Sequence, residues 1–131
     1  MNNPPRWQDP IRGILNSCRF ALRGIAFAAR AQRNIRIHFI AAALALFTGF
    51  LLRFDRLEMV LLILTVSLVV MGELLNTALE YLLNLLEARD HPTVRAVKDI
   101  AAGAILMAVI GSIGAGLFLF GPRFLGLLGV N

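Results

Sequence analysis

Residues 57–86 read LEMVLLILTVSLVVMGELLNTALEYLLNLL, an apolar run that carries almost no charge. At about 1.5 Å per residue, a helix of this length exceeds the roughly 30 Å of hydrocarbon in a bilayer. Two carboxylates, Glu73 and Glu80, interrupt the run well inside it. Insertion scales penalise an acidic residue at the middle of a membrane helix by about 3 kcal/mol. The run therefore predicts a membrane-spanning helix, and its two acids predict a functional site.

The composition of the whole chain favours a membrane protein over a soluble one. Of the 131 residues, 58% are apolar and only 16% are charged. A soluble domain of this size has too much surface for so few charges, whereas lipid solvates apolar side chains. The length suits one domain, so we predict that residues 1–131 form a single membrane domain.

Two further spans flank the first run. Residues 37–52 carry no Lys, Arg, Asp or Glu, and the arginines at either end can reach the interface to compensate for a short span. Residues 97–120 predict the third span, and Pro122 is expected to end it. Small residues along this third span favour close packing against another helix, which makes an oligomer the expected state.

The segment before the first span predicts an amphipathic helix. In residues 11–36, apolar positions recur at three- and four-residue spacing beside a row of arginines. A basic flank beside an apolar face is typical of a helix that lies at the membrane interface, and a core-packing helix is the alternative. The expected fold is thus an all-α membrane protein with an N-terminal interfacial amphipathic helix and three transmembrane helices.

Basic residues are distributed unevenly around the spans. The N-terminal segment and the second loop hold ten of the thirteen, while the first loop and the C-terminus hold three. The positive-inside rule therefore places the N-terminus and the second loop in the cytoplasm. Next to a membrane span, such a cluster favours anionic phospholipids as partners, and nucleic acid is not expected.

Polar residues of the second span fall on one side of the predicted helix. At 100° per residue they project within roughly 80° of one another and form what we call the polar stripe. The stripe consists of Glu73, Asn76, Glu80, Asn84 and Glu87. Lys98 and Asp99 open the third span at the same membrane face, and together these residues could bind a metal ion and phosphate. The structural alternative is that the glutamates pair with arginines to hold helices together.

Three segments carry a resemblance to a known family. Residues 73–80 read ELLNTALE, residues 97–99 read VKD, and residues 32–38 read QRNIRIH. Together they resemble the prokaryotic integral-membrane diacylglycerol kinase family, which includes undecaprenol kinases. The resemblance covers about residues 11–120, and the ELLNTALE pattern is quite specific on a membrane helix.

The resemblance implies a homotrimeric kinase of the bacterial inner membrane, with its active site on the cytoplasmic side. Such an enzyme transfers the γ-phosphoryl group of ATP to the hydroxyl of diacylglycerol or undecaprenol, with Mg²⁺ as the cofactor. It implies that Glu73 is the general base, that Asn76 orients the reacting groups and that Glu80 binds the metal. Lys98 and Asp99 would contact the nucleotide phosphates and their surroundings.

Two positions depart from the family pattern. Gln32 stands where the family has a second metal-binding glutamate, and Asn84 stands where many members have an aspartate. Because glutamine still offers a carbonyl oxygen, we expect Gln32 to remain a ligand of the metal and nucleotide site and Mg²⁺ to bind more weakly.

Two other functions compete with the kinase. The first is a non-catalytic membrane scaffold derived from a kinase, which Gln32 and Asn84 favour. The second is a small ion-coupled transporter, which the glutamates inside the membrane span favour. The two histidines, His38 and His91, receive no catalytic role from the sequence.

Overall fold

The computed structural model of the chain describes residues 10–85 and 91–129, and this part folds into four helices. They are α1 (Pro10–Ala31), α2 (Arg33–Leu51), α3 (Arg56–Leu85) and α4 (Pro92–Leu127). Helices α2, α3 and α4 are long and apolar enough to cross a membrane. The helical class is therefore confirmed for the described residues, and three of their helices have the length and composition that the predicted spans require. The predicted member of the polar stripe at Glu87 lies outside them.

A break at Gln32 separates α1 from α2. The sequence pattern predicted one surface helix through Arg36, but Gln32 adopts an extended backbone with φ −115° and ψ 124°. The backbone N–H of Gln32 still donates to the Ala28 carbonyl at 2.9 Å, so the chain turns a corner without losing that hydrogen bond. The corner directs Gln32 toward α3 and makes the following residues part of the first span.

Helix α3 lies at the centre of the fold and contacts the other three helices. Its buried residues recur at helical spacing along one side, namely Leu62, Val69, Glu73, Thr77 and Leu83. Most other large apolar side chains of the spans are exposed in the single chain. Such a surface suits lipid or neighbouring copies of the chain, because either one covers apolar groups that water would not solvate.

The loop between α2 and α3 is tied to the far end of α4. Asp55 and Glu58 cap the start of α3 reciprocally, each side chain accepting from the other's backbone N–H at 2.8 Å. Arg123 on α4 donates to Glu58 Oε2 at 2.6 Å and to the Leu52 carbonyl at 3.4 Å. These contacts join α2, α3 and α4 at the end of the helix bundle that lies opposite the polar stripe.

Helix α4 continues past the point where the sequence suggested an end. Pro122 lies inside the helix, which reaches Leu127. A proline removes one backbone hydrogen bond from a helix interior, and contacts of the neighbouring side chains compensate for the lost bond. The Phe120 ring packs on Phe54 with centroids 4.9 Å apart, and Arg123 contacts Glu58 one turn later.

Candidate functional site

A polar groove opens between α3 and the start of α4. It encloses about 530 Å³ and gathers polar side chains from three helices. These are Asn34 from α2, Glu73, Asn76, Glu80 and Asn84 from α3, and Lys98 and Asp99 from α4. The structure thus brings together in one groove the five site residues that the sequence placed on α3 and α4. Asn34, which the sequence left without a role, also lines the groove.

Glu80 is held by two amides. Gln32 Nε2 donates to its Oε2 at 3.0 Å, and Asn76 Nδ2 donates to its Oε1 at 3.3 Å. Asn76 and Glu80 are one helical turn apart on α3, whereas Gln32 reaches across from the corner between α1 and α2. The two residues that the sequence assigned to a metal, Gln32 and Glu80, are therefore in direct contact.

These three side chains could hold part of a divalent cation's coordination shell. Rotation of either amide about its terminal bond would present a carbonyl oxygen to the ion. Within residues 10–85 and 91–129, no group of three or more His, Cys, Asp or Glu side chains is placed to hold a metal. Mg²⁺ is commonly held by one or two carboxylates together with substrate phosphates and water. The donor set of Glu80, Gln32 and Asn76 thus suits Mg²⁺ that arrives with a nucleotide.

Glu73 is buried, and its partner is a histidine from the first span. His38 Nε2 lies 3.0 Å from Glu73 Oε1. The sequence interpretation missed this pair, because helical periodicity gives the face of each residue and not the faces that meet. A usable signal was present: a histidine inside an otherwise uncharged span is costly in lipid, as Glu73 is.

The contacts of Glu73 and Glu80 differ from those that the structural alternative required. Among residues 10–85 and 91–129, their side-chain partners are one histidine and two amides, not arginines. The two amides add no charge beside Glu80, and the histidine contact engages one oxygen of Glu73, so each carboxylate can still take a further partner in the groove. Carboxylates so placed can attract a cation or accept a proton.

A second, apolar cleft lies beside the polar groove. It encloses about 210 Å³ among α2, α3 and α4 and is lined largely by alanine and valine, with Ser112 and Gly116 from α4. His38 lines this apolar cleft, while its partner Glu73 lines the polar groove. The His38–Glu73 pair therefore marks the boundary between the two cavities.

Comparisons with known proteins identify the family of the chain. The sequence profile of the family described as "Prokaryotic diacylglycerol kinase" matches residues 19–120. The chain is 38% identical over 101 residues to the undecaprenol kinase of Bacillus subtilis, covering 77% of this chain and 82% of that protein. It is 37% identical over 116 residues to the diacylglycerol kinase of Synechocystis, covering 88% of this chain and 66% of that protein. The diacylglycerol kinase of Escherichia coli K12 is 29% identical over 97 residues, which cover 74% of this chain and 80% of that protein.

Proposed function

Because the chain belongs to the prokaryotic diacylglycerol kinase family, we propose that it transfers the γ-phosphoryl group of ATP to the hydroxyl of a membrane lipid. The acceptor is diacylglycerol or undecaprenol, the two lipids named in its relatives. The observation that carries the proposal is the polar groove, which combines a buried carboxylate, a second carboxylate held by amides, and a lysine. Phosphoryl transfer needs these elements: a positioned nucleophile, a cation and neutralisation of charge.

On the lipid side of the groove, Glu73 is the general base. It takes the proton of the lipid hydroxyl as the oxygen attacks the γ-phosphorus of ATP. The new bond joins the lipid oxygen to phosphorus, the bond between the γ-phosphorus and the bridging oxygen breaks, and ADP leaves. A base buried in a membrane helix can reach a hydroxyl whose hydrocarbon chains stay in lipid.

On the nucleotide side, Lys98 contacts the phosphates and Asp99 shapes their surroundings. Glu80 and Gln32 would hold Mg²⁺, which when bound screens the negative charge of the phosphates. Asn76 orients the reacting groups through its contact with Glu80, one turn away on α3. Because Gln32 supplies no charge where the family has a glutamate, the cation binds more weakly here.

The placement in the membrane is part of the proposal. Seven of the thirteen basic residues fall within the first 36 positions, which supports α1 lying on anionic phospholipids at the cytoplasmic face of the bacterial inner membrane. The polar groove then opens toward the cytoplasm, where ATP is available. A homotrimer is supported by the small residues of α4, several of whose glycines face open space in the single chain.

The experiment that tests the proposed function is phosphate transfer from labelled Mg-ATP in mixed micelles, with diacylglycerol and undecaprenol offered separately. The expected result is labelled product on one of the two lipids, with Cys18→Ser as a control variant outside the groove that keeps the wild-type rate. No product on either lipid from folded protein that binds ATP would instead favour the non-catalytic scaffold. Ion flux in proteoliposomes without ATP would favour the transporter.

A further inference from the structure

Glu73 and His38 belong to different helices, yet they meet at the boundary of the two cavities. His38 Nε2 lies 3.0 Å from Glu73 Oε1, and the two side chains are 25% and 8% exposed. This contact engages a single oxygen of the carboxylate. Glu73 also lines the polar groove, so its remaining oxygen, Oε2, can face the groove.

We propose that His38 is a positioning residue for Glu73: its Nε2–H donates to Oε1 and fixes the rotation of the carboxylate, so that Oε2 meets the lipid hydroxyl. This role rests on the proposed function, in which Glu73 is the base. An ionised carboxylate only accepts hydrogen bonds, so the imidazole must carry its proton on Nε2. His38 itself loses no proton to the substrate and gains none from it.

The physical need for such a partner follows from the glutamate side chain. Its terminal torsion is broad and roughly two-fold, so an unrestrained carboxylate samples many orientations. One hydrogen bond from a neighbouring helix removes this freedom, and a bond of this kind is stronger in a low-dielectric interior than in water. A base held in the reactive orientation raises the rate, because misplacement by about 1 Å can cost about 100-fold.

Histidine suits this position better than a cationic residue would. Arginine commonly binds a carboxylate through two parallel N–H···O bonds and would occupy the oxygen that the reaction needs. The imidazole donates one bond through Nε2 and leaves the second oxygen of the carboxylate in place. His38 also lines the apolar cleft of α2, α3 and α4, where the permanently charged guanidinium of an arginine would be costly to bury.

The test compares two variants at position 38 whose side-chain amides differ in reach by one methylene group. In His38→Gln the side-chain N–H can reach Glu73, because glutamine places its nitrogen near the position of Nε2. In His38→Asn the amide is too short to do so. We expect kcat to fall by about 10- to 100-fold in His38→Asn and to remain within about fivefold of the wild type in His38→Gln. The KM for ATP should stay within about twofold in both, because His38 does not line the polar groove.

A double-mutant cycle with Glu73→Gln shows whether His38 acts through Glu73. If it does, adding His38→Asn to Glu73→Gln lowers the remaining rate no further. Equal rates for wild type and His38→Asn, equal losses in the two amide variants, or additive losses in the double variant would each overturn the role. An inactive wild-type protein would overturn the proposed function itself, so the two failures can be told apart.

A spectroscopic measurement checks the contact without relying on turnover. In protein labelled with ¹⁵N-histidine, the Nε2 signal of His38 should report a protonated nitrogen, and it should shift in Glu73→Gln. If the proton resides on Nδ1, or if the signal is unchanged in that variant, His38 does not donate to Glu73.

Discussion

At the scale of single residues, the hydrogen bonds of Glu80 make Gln32 the residue on which the proposed metal site can be tested. Gln32 and Asn76 both donate to Glu80, which is the carboxylate that we propose as a ligand of Mg²⁺. A glutamate at position 32 would place a second negative charge beside the first. Two adjacent carboxylates repel each other unless a cation lies between them, so that change would favour Mg²⁺.

Gln32→Glu therefore tests the proposed metal site. We expect the Mg²⁺ concentration that gives half-maximal activity to fall by about 3- to 10-fold, because a carboxylate binds Mg²⁺ more tightly than an amide oxygen does. The measurement is a titration of activity with Mg²⁺ at saturating ATP. Asn84→Asp is the comparison variant, since it adds the same charge to the groove one helical turn beyond Glu80 without replacing a donor to that carboxylate. An unchanged Mg²⁺ dependence in Gln32→Glu would remove Gln32 from the proposed ligands.

At the scale of helices, the order and number of elements followed from hydrophobic pattern, while their corners and contacts did not. The apolar runs predicted three spans, because two of them are long enough to cross a bilayer and the arginines that flank the short run 37–52 can compensate for its length. The break at Gln32 carries no glycine or proline, so nothing in the local sequence marks it. At Pro122 the sequence signals a helix end that the structure does not have. The contacts of Phe120 and Arg123 keep α4 helical beyond it.

The sequence pattern does not give the contacts between helices, and this explains how much of the site could be predicted. Residues on one helix, such as Glu73, Asn76 and Glu80, could be grouped by periodicity, because the helix itself fixes their relative angles. His38 and Asn34 could not be grouped with them, because their placement depends on how α2 packs on α3. Tertiary contacts between helices are set by packing of whole faces, which a single sequence leaves open.

Helix α2 approaches α3 closely at Gly49, which gives a prediction about stability. A Cβ atom on Gly49 would lie 2.9 Å from Leu62 Cδ2 and 3.2 Å from Phe54 Cδ2. Leu62 is buried and has little room to move. We expect Gly49→Val to lower the free energy of unfolding by about 1–3 kcal/mol through overpacking. Unfolding in detergent, followed by circular dichroism, measures this change.

Gly13→Val is the matched control for that experiment. Gly13 also lies within a helix, but a Cβ there meets nothing within 4 Å. Because the added side chain meets no neighbour, any change of stability in Gly13→Val reports the difference in helix propensity between glycine and valine, which favours valine. If both variants unfold alike, α2 and α3 do not approach each other at Gly49 as the structure describes.

At the scale of the whole molecule, a single chain leaves much apolar surface without a partner. Along α4, Gly103, Gly111, Gly114 and Gly116 have open space where a side chain would stand. In membranes, small residues of this kind allow helix backbones to approach each other closely. We expect the detergent-solubilised protein to sediment as a trimer, as measured by analytical ultracentrifugation with correction for bound detergent. A monomer at concentrations that support full activity would contradict the homotrimer.

The central claim is that the polar groove is a phosphoryl-transfer site in which Glu73 is the base. The most direct test is a single-turnover measurement of phosphate transfer from ATP to lipid in Glu73→Gln beside the wild type, with ATP binding measured on the same samples. We predict a rate at least about 100-fold lower in the variant with ATP affinity nearly unchanged, because a base contributes about 10²- to 10⁴-fold and does not bind the nucleotide. A variant that keeps most of the wild-type rate would contradict the claim.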